Sequence, residues 1–555
     1  MKLILKKKYN IIIAVIVTII LFMGKIGGYG DYSLILPTMI GSVALGVEIV
    51  RRKETIKISH TDVALAIFGA YVIAIDISSA SMTAGRCMQY MMTALAYMLV
   101  RLYSDRVTKV VLTGIVACGV VQSTMAWMQV AGVMASNHIH FACTGSFGNP
   151  AMLGCLVAVS VCIAMKEALK ATRRERVVWM LSIAYMMPIM VLADSRAAWV
   201  ACGAGMALML MPLWKVRTRW KVLTVGAVVM LVVVPLYKHK PVSADARTLI
   251  WKVCGIMAKE NPVTGLGSDA VRREYMHYQA RYFADGGSER ERLITANNNY
   301  AFNEVLDVMC SYGVIGVVLW LGVVIAFFAC NGVRSGQSVG VATVLMFGMF
   351  SYPFSNIEIT GITALMLGMG KGESLRAVPS RWSKCVALVT VMAMTGVTMV
   401  KCAKGKRYDD AMKEYCWDKD EREYVLEHFE EIKNDAVLVS RCGRLLYETG
   451  EYERAITVLE QMSRLQASPE LYYDLGKCYE KTNDGANAER CYNVVTNMLP
   501  AYMTPQYKLM RMYEKQGEIE KAKEKARYML AMPLKMETSE SKRMKNEAKK
   551  IVNRR

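Results

Sequence analysis

Histidine is scarce in this chain, with six residues among 555, and the loops between its apolar runs hold no DxD-like pair of acids on the side argued below to be the outer one. In the last 150 residues Cys402, Cys416, Cys442, Cys478 and Cys491 show no CxxC spacing. These absences argue against a zinc site and against a defined disulfide framework, and the cysteines read as small apolar fillers. His138 and His140 in SNHIH offer two ligands, short of a metal set, so no metal is expected. Acidic residues are in deficit: 47 Asp and Glu face 68 Lys and Arg, a formal charge of +21. The basic residues fall between alternate apolar runs, so the excess reads as membrane topology and not as a nucleic-acid surface.

Apolar length is what the chain has in quantity. It is 54% hydrophobic, with mean hydropathy +0.25, and the long runs lie before about residue 400. NIIIAVIVTIILFMG from Asn10, VVLTGIVACGVVQSTMAWMQVAGVM from Val110 and VLTVGAVVMLVVVPLY from Val222 approach or exceed the ~20 residues that cross ~30 Å of hydrocarbon. The first run lacks a small-residue cleavage site and is followed by another from Leu34, so it reads as a retained span. The expected fold class is all-α: a polytopic membrane bundle of about 12–13 spans, followed by a C-terminal α-solenoid.

Placing the cationic clusters inside makes KLILKKK, RRKETIK, RLYSDRVTK, KEALKATRRER, KVRTRWK, NGVRSG and KGESLRAVPSRWSK cytoplasmic loops. The neighbourhood of Arg86, residues 139–150, 193–197 and 355–359, and a long stretch at about 238–303 then face outward. A last span near Val386 to Val400 delivers the C-terminal part outside as well. The domains expected are a multi-span domain over 1–375, a last span and linker over 376–404, and a repeat domain over 405–555. The location expected is the bacterial inner membrane, with the repeats in the periplasm.

The repeat is read from a period. LYETG (446–450), YEKTN (479–483) and YEKQG (513–517) are followed by Ala455, Ala488 and Ala522, spaced by 33 and 34. That is the spacing of tetratricopeptide helix pairs, in which Gly or Asn ends one helix and a small Ala lets the next approach. Residues 408–433 read as a degenerate leading pair, and 535–555 as a capping helix with a frayed end. Such solenoids bind protein partners in a groove, or serve as spacers.

Two outward arginines carry the chemistry. Arg196 in VLADSRAAWVACGAG has apolar spans on both sides, so its guanidinium must reach the outer surface or a cavity. Arg247 lies in ARTLIWKVCGIMAKENPVTGLG, where Ile250 and Trp251 give an apolar face and Pro262, Gly265 and Gly267 end the helix. With the polar stretch ANNNYAFNEV, which places Asn303 and Glu304 at the mouth of a span, they form a site for an anion at the membrane surface. A diphosphate suits it, because guanidinium forks match phosphate oxygens. The plain alternatives are a snorkelling surface arginine and a Glu304 that only completes a helix cap. Asn149 and Pro150 mark a helix start.

TGSFGNP (144–150), ADSRAAWVA (193–201), ARTLIWK with NPVTGLG (246–267) and FNEVLDVMCSYGVIG (302–316) resemble, in order and context, the O-antigen ligase superfamily over about residues 10–375. The ligase pattern is His, then Asn, Ser or Gln, nine residues and GxxG. Here Asn303, Glu304 to Tyr312, and Gly313 to Gly316 fit, while Phe302 stands in place of the histidine. The two glycines are expected to let a neighbouring helix pack closely.

The resemblance implies transfer of a glycan from undecaprenyl diphosphate to an acceptor hydroxyl on a glycan or protein. Arg196 and Arg247 would hold the diphosphate, and Asn149 and Trp251 would line the substrate site. With Phe302 in place of the family's imidazole, Glu304 beside Asn303 is the nearest proton acceptor. No cofactor is implied. O-antigen or capsule polymerase and protein O-oligosaccharyltransferase remain open within the family. Outside it stand a polysaccharide transporter, against which the spans show no repeated half, and a repeat-bearing scaffold.

Overall fold

The computed structural model describes residues 56–79, 81–210, 241–370, 376–378, 419–532 and 538–554, with part of 389–412. The expected spans from Asn10, Leu34 and Val222 lie outside the described residues, and the one near Val386 to Val400 is described only at scattered positions. Helices dominate. The membrane part comprises α1 (His60–Ser78), α2 (Ala84–Val130), α3 (Pro150–Ala168), α4 (Arg173–Leu192) and α5 (Arg196–Leu210). A segment outside the bundle follows with α6 (Pro241–Glu260), α7 (Ala270–Ala284) and α8 (Glu289–Ile294), before α9 (Glu304–Asn331), α10 (Gly336–Gly348) and α11 (Ile357–Gly368) return to the bundle. Among the described residues five stretches are long and apolar enough to cross a membrane: α1, Val107–Val130 of α2, α3, α4 and α9.

Helix α3 is the hub. It packs against α2, α4, α5 and α10, and Leu153, Cys155, Val157, Ala158, Val161, Cys162 and Ile163 are all fully buried. Small residues set the approach: a Cβ at Gly119 would fall 2.4 Å from Ser160 Oγ, and one at Gly205 2.8 Å from Cys162 Sγ. The 47 residues of α2 would reach about 70 Å as one straight helix. They double back instead. Gln89 donates to the Phe354 carbonyl at 3.4 Å, while Gln122 donates to Ser146 and Asn149 to the neighbouring Tyr352, so positions 89 and 122 share one end of the bundle. Arg101 marks the opposite end, paired with Asp62 at 2.9 Å and donating to the Gly370 carbonyl.

At that opposite end the chain forms a two-stranded antiparallel ribbon, β1 (Ile56–Ile58) with β2 (Arg376–Val378), in the register Ile56 to Val378. The strands come from RRKETIK and KGESLRAVPSRWSK, so two basic loops assigned to one side meet on one side.

Helix α9 is broken near its start. Gly313 has φ 62 and ψ −166 inside an otherwise helical run, and the turn at 262–267 fills the gap. Leu266 and Gly267 donate to the carbonyls of Cys310 and Ser311, and Val314 donates back to Pro262, all within 2.9 Å. A Cβ at Gly313 would lie 2.1 Å from the Val263 carbonyl oxygen, and one at Gly265 2.5 Å from the Ser311 backbone. The close neighbour of Gly313 is therefore a non-helical strap, the turn at 262–267, and not the helix expected from its sequence. The strap supplies the backbone partners that the break leaves open.

The C-terminal part is a succession of antiparallel pairs: α12 (Lys419–Glu427) with α13 (Phe429–Ile432), α14 (Ala436–Glu448) with α15 (Tyr452–Leu465), α16 (Pro469–Lys481) with α17 (Gly485–Met498), α18 (Met503–Lys515) with α19 (Ile519–Ala531), and a closing α20 (Ser539–Val552). Gly450, Asn483 and Gly517, the last residues of the three similar pentapeptides, all take positive φ. Ala455, Ala488 and Ala522 are fully buried where each second helix meets its first. The stack rests on α7: Gln279 donates to the Met498 carbonyl at 2.7 Å, the Ala467 amide donates to the Arg273 carbonyl at 2.7 Å, and His277 lies 2.8 Å from the Tyr472 hydroxyl. Ala467 and Met498 join a core built otherwise from α6, α7 and the start of α9.

Candidate functional site

The site forms where the first turns of α5 and α6 face the loop before α9. Asp194, with φ 48, lies in the turn after α4 and places Arg196 at the head of α5. Its Nη2 donates to Ser243 Oγ at 3.0 Å. Ser243, Arg247 and Trp251 are four residues apart and so share one face of α6. Arg247 is half-buried, with its guanidinium carbon 5.4 Å over the ring of Phe302. Trp251 donates from its indole nitrogen to the Ala301 carbonyl at 3.0 Å, which pins the loop carrying Phe302. Burial and the positive charge of Arg196 lower the Arg247 pKa to about 10, against a smaller opposite effect from Tyr352. It remains a cation at neutral pH.

Below Arg247 lies an aromatic wall. Tyr300 stacks on Tyr352 with centroids 3.8 Å apart and planes within 1°, and Phe302 stands edge-on to Tyr352 at 5.2 Å. Burial raises the phenol pKa of both tyrosines, so both are neutral donors. Asn149 joins from the other side: its Oδ1 caps α3 by accepting from the Ala151 amide, and its Nδ2 donates to the Tyr352 hydroxyl at 2.7 Å. Asn149 is held by TGSFGNP, which wraps around Gln129. That amide accepts from the backbone N–H groups of Thr144 and Gly145 at 2.8 and 2.9 Å.

Asn303 and Glu304 sit behind this wall. Asn303 Oδ1 accepts from the amides of Val305 and Leu306 at 3.0 and 3.1 Å, and Nδ2 donates to the Met349 carbonyl; the side chain is a helix cap and a tie to the following loop. Glu304 is 5% exposed, accepts from the Phe354 amide at 3.0 Å and lies against Gly348, where a Cβ would come within 2.8 Å of its Cγ. Arg196, Arg247, Trp251 and Asn149 thus converge around Phe302 and Tyr352, while Asn303 and Glu304 hold the loop that carries Tyr352.

The segment that matches the family model described as O-Antigen ligase runs from 181 to 321. It begins in α4 and ends beyond the break in α9, and it contains both arginines, Trp251, Asn303 and Glu304. The chain carries an O-antigen ligase domain. None of the curated proteins compared with the chain matches it. Asn149 and Tyr352 lie outside the matched segment, so the ligase domain borrows part of its wall from α3 and from the loop before α11.

Several residues of the site were not singled out in the sequence. Tyr300 and Tyr352 are 52 positions apart, and nothing in either stretch shows that they stack. Arg86 and Asp269 form an ion pair beside the strap, and fully buried Asp76 accepts from the Ser268 amide at 2.8 Å and from Tyr90 at 2.5 Å; together they fix the ligase domain to α1 and α2. Asp307, three residues after Glu304, adds a second carboxylate on the same face of α9. Its signal was present in FNEVLD.

Proposed function

We propose that this protein is a membrane glycosyltransferase that moves a glycan from an undecaprenyl diphosphate carrier to an acceptor hydroxyl at the outer face of the inner membrane. The observation that carries the reading is Arg247. Among the described residues it makes no ion pair, whereas Arg101, Arg281 and Arg290 are each paired with an acid. A half-buried guanidinium facing a second arginine and an aromatic wall is a site for an anion brought by the substrate.

In the reaction the acceptor oxygen forms a bond to the anomeric carbon, the bond from that carbon to the diphosphate oxygen breaks, and the electron pair leaves with the diphosphate. Arg247, with Arg196, stabilises the charge that grows there. The phenols and the Asn149 amide present donors and ring faces to the sugar. The proton of the acceptor hydroxyl goes to Glu304, the carboxylate at the head of α9, with Asp307 one turn below it. The energy comes from the diphosphate linkage.

The membrane setting follows from the five span-like stretches, and the basic ribbon end, opposite the arginines, is read as cytoplasmic. The terminal helix pairs are read as tetratricopeptide-like repeats on the outer side. Transfer from a lipid-linked donor in membranes, normalised to protein level, tests the reading. Arg247→Lys keeps a charge but not the planar fork, and should lower transfer by about two orders of magnitude. Parental transfer by that variant would remove the diphosphate clamp from the account.

A further inference from the structure

A second basic site lies where the solenoid meets the ligase domain. Arg272 of α7, Ser440, Arg441 and Arg444 of α14, and Met462 and Gln466 at the end of α15 line a solvent-open cavity of about 280 Å³. Among the described residues neither Arg272 nor Arg444 forms an ion pair, although solenoid arginines of similar exposure, Arg454 and Arg511, do. The guanidinium groups of Arg272 and Arg444, with Arg441, a hydroxyl and an amide in the same lining, suit a ligand that carries a carboxylate or phosphate on a polyhydroxylated ring. The volume admits a group the size of a monosaccharide, at the small end of ligand pockets.

Position gives the ligand its context. The charge of Arg272 also acts on Tyr300, whose ring stacks on Tyr352 in the wall of the arginine site. Arg272 thus lines the cavity and also acts on a residue of the aromatic wall. We infer that it binds an acidic sugar residue of the glycan being transferred or extended, so that the solenoid is a glycan-reading element of the enzyme. The inference rests on the proposed glycan transfer only for the saccharide nature of the ligand.

Binding of a fluorescent hexuronate tetrasaccharide to the full-length protein in detergent tests it without any transfer step. The acidic probe should bind at least about tenfold more tightly than an uncharged tetrasaccharide, and Arg272→Gln with Arg444→Gln should abolish that preference. Arg444→Lys, which keeps the charge, should retain part of it and controls for folding. Equal binding of the two probes, an unaffected double variant, or a polyglutamate peptide that competes as well as the unlabelled tetrasaccharide would each overturn the inference. So would inorganic phosphate displacing the probe at the same concentration as the tetrasaccharide, since the ring would then add nothing.

In transfer assays with acidic glycans the double variant should raise the KM for the donor if the acid is on the donor, and for the acceptor if it is there. Unchanged KM for both contradicts the inference. Arg247→Lys should bind the probe normally, which separates failure of this site from failure of the diphosphate clamp.

Discussion

Arg247 depends on Phe302 for its place, and Phe302 depends on a backbone that few side chains accept. Its φ is 52, in the left-handed region where histidine is among the better-tolerated residues and β-branched side chains are not. Phe302→His should therefore accumulate at the parental level, whereas Phe302→Val should lower protein yield and thermal stability by about 2 kcal/mol from strain and the lost ring contacts. Glu304→Gln is the sharper residue test. The amide oxygen still accepts from the Phe354 amide, so the tie to the loop is kept while proton uptake is lost. Transfer should fall by about two to four orders of magnitude at unchanged thermal stability; a fully active Glu304→Gln enzyme would move the base elsewhere. Arg247 and Trp251 were legible in the sequence as a charge and an apolar face, whereas Ser243, which shares their side of α6 and accepts from Arg196, was not singled out. The Tyr300 and Tyr352 stack was not, because it is made by two loops that only the packing of α9 against α10 brings together.

At the scale of elements, the break in α9 shows where motif reading stops. The spacing from Asn303 to Gly313 and Gly316 was plain, and so were the glycines of NPVTGLG. What they do was not, because GxxG in an apolar run serves both helix contact and helix interruption. The choice is made by residues 262–267, which offer backbone donors and acceptors to the opened turn. Gly313→Ala combines a left-handed residue with a Cβ 2.1 Å from the Val263 carbonyl oxygen, so it should lose at least about 2 kcal/mol, read as a lower melting temperature in detergent. Gly322→Ala, in the same helix with nothing within 4 Å of the added Cβ, should be neutral. The reversal within α2 has the opposite lesson: RLYSDRVTK between two apolar runs announced a turn, and the contacts of Gln89 and Gln122 require one.

For the whole molecule, the solenoid is joined to the ligase domain chiefly through α7, and part of that contact is buried. Gln279 is fully buried and donates to Met498 of the solenoid; Gln279→Leu should cost about 1–3 kcal/mol of docking and speed proteolytic release of the C-terminal fragment. The period of the repeats was readable because each hairpin repeats the same turn and the same small contact residue. Their seat on α7 was not, since docking surfaces carry no period. A reporter active only in the cytoplasm, fused after Arg555, should stay silent. Transfer should persist in EDTA, since the account gives charge neutralisation to two guanidinium groups. The most direct test of the central claim is the affinity of the purified protein for polyprenyl diphosphate, measured by native mass spectrometry for the parent and for Arg247→Gln. The account predicts at least about tenfold weaker binding of the diphosphate by the variant, with polyprenyl alcohol binding unchanged; equal affinity of parent and variant for the diphosphate would contradict it.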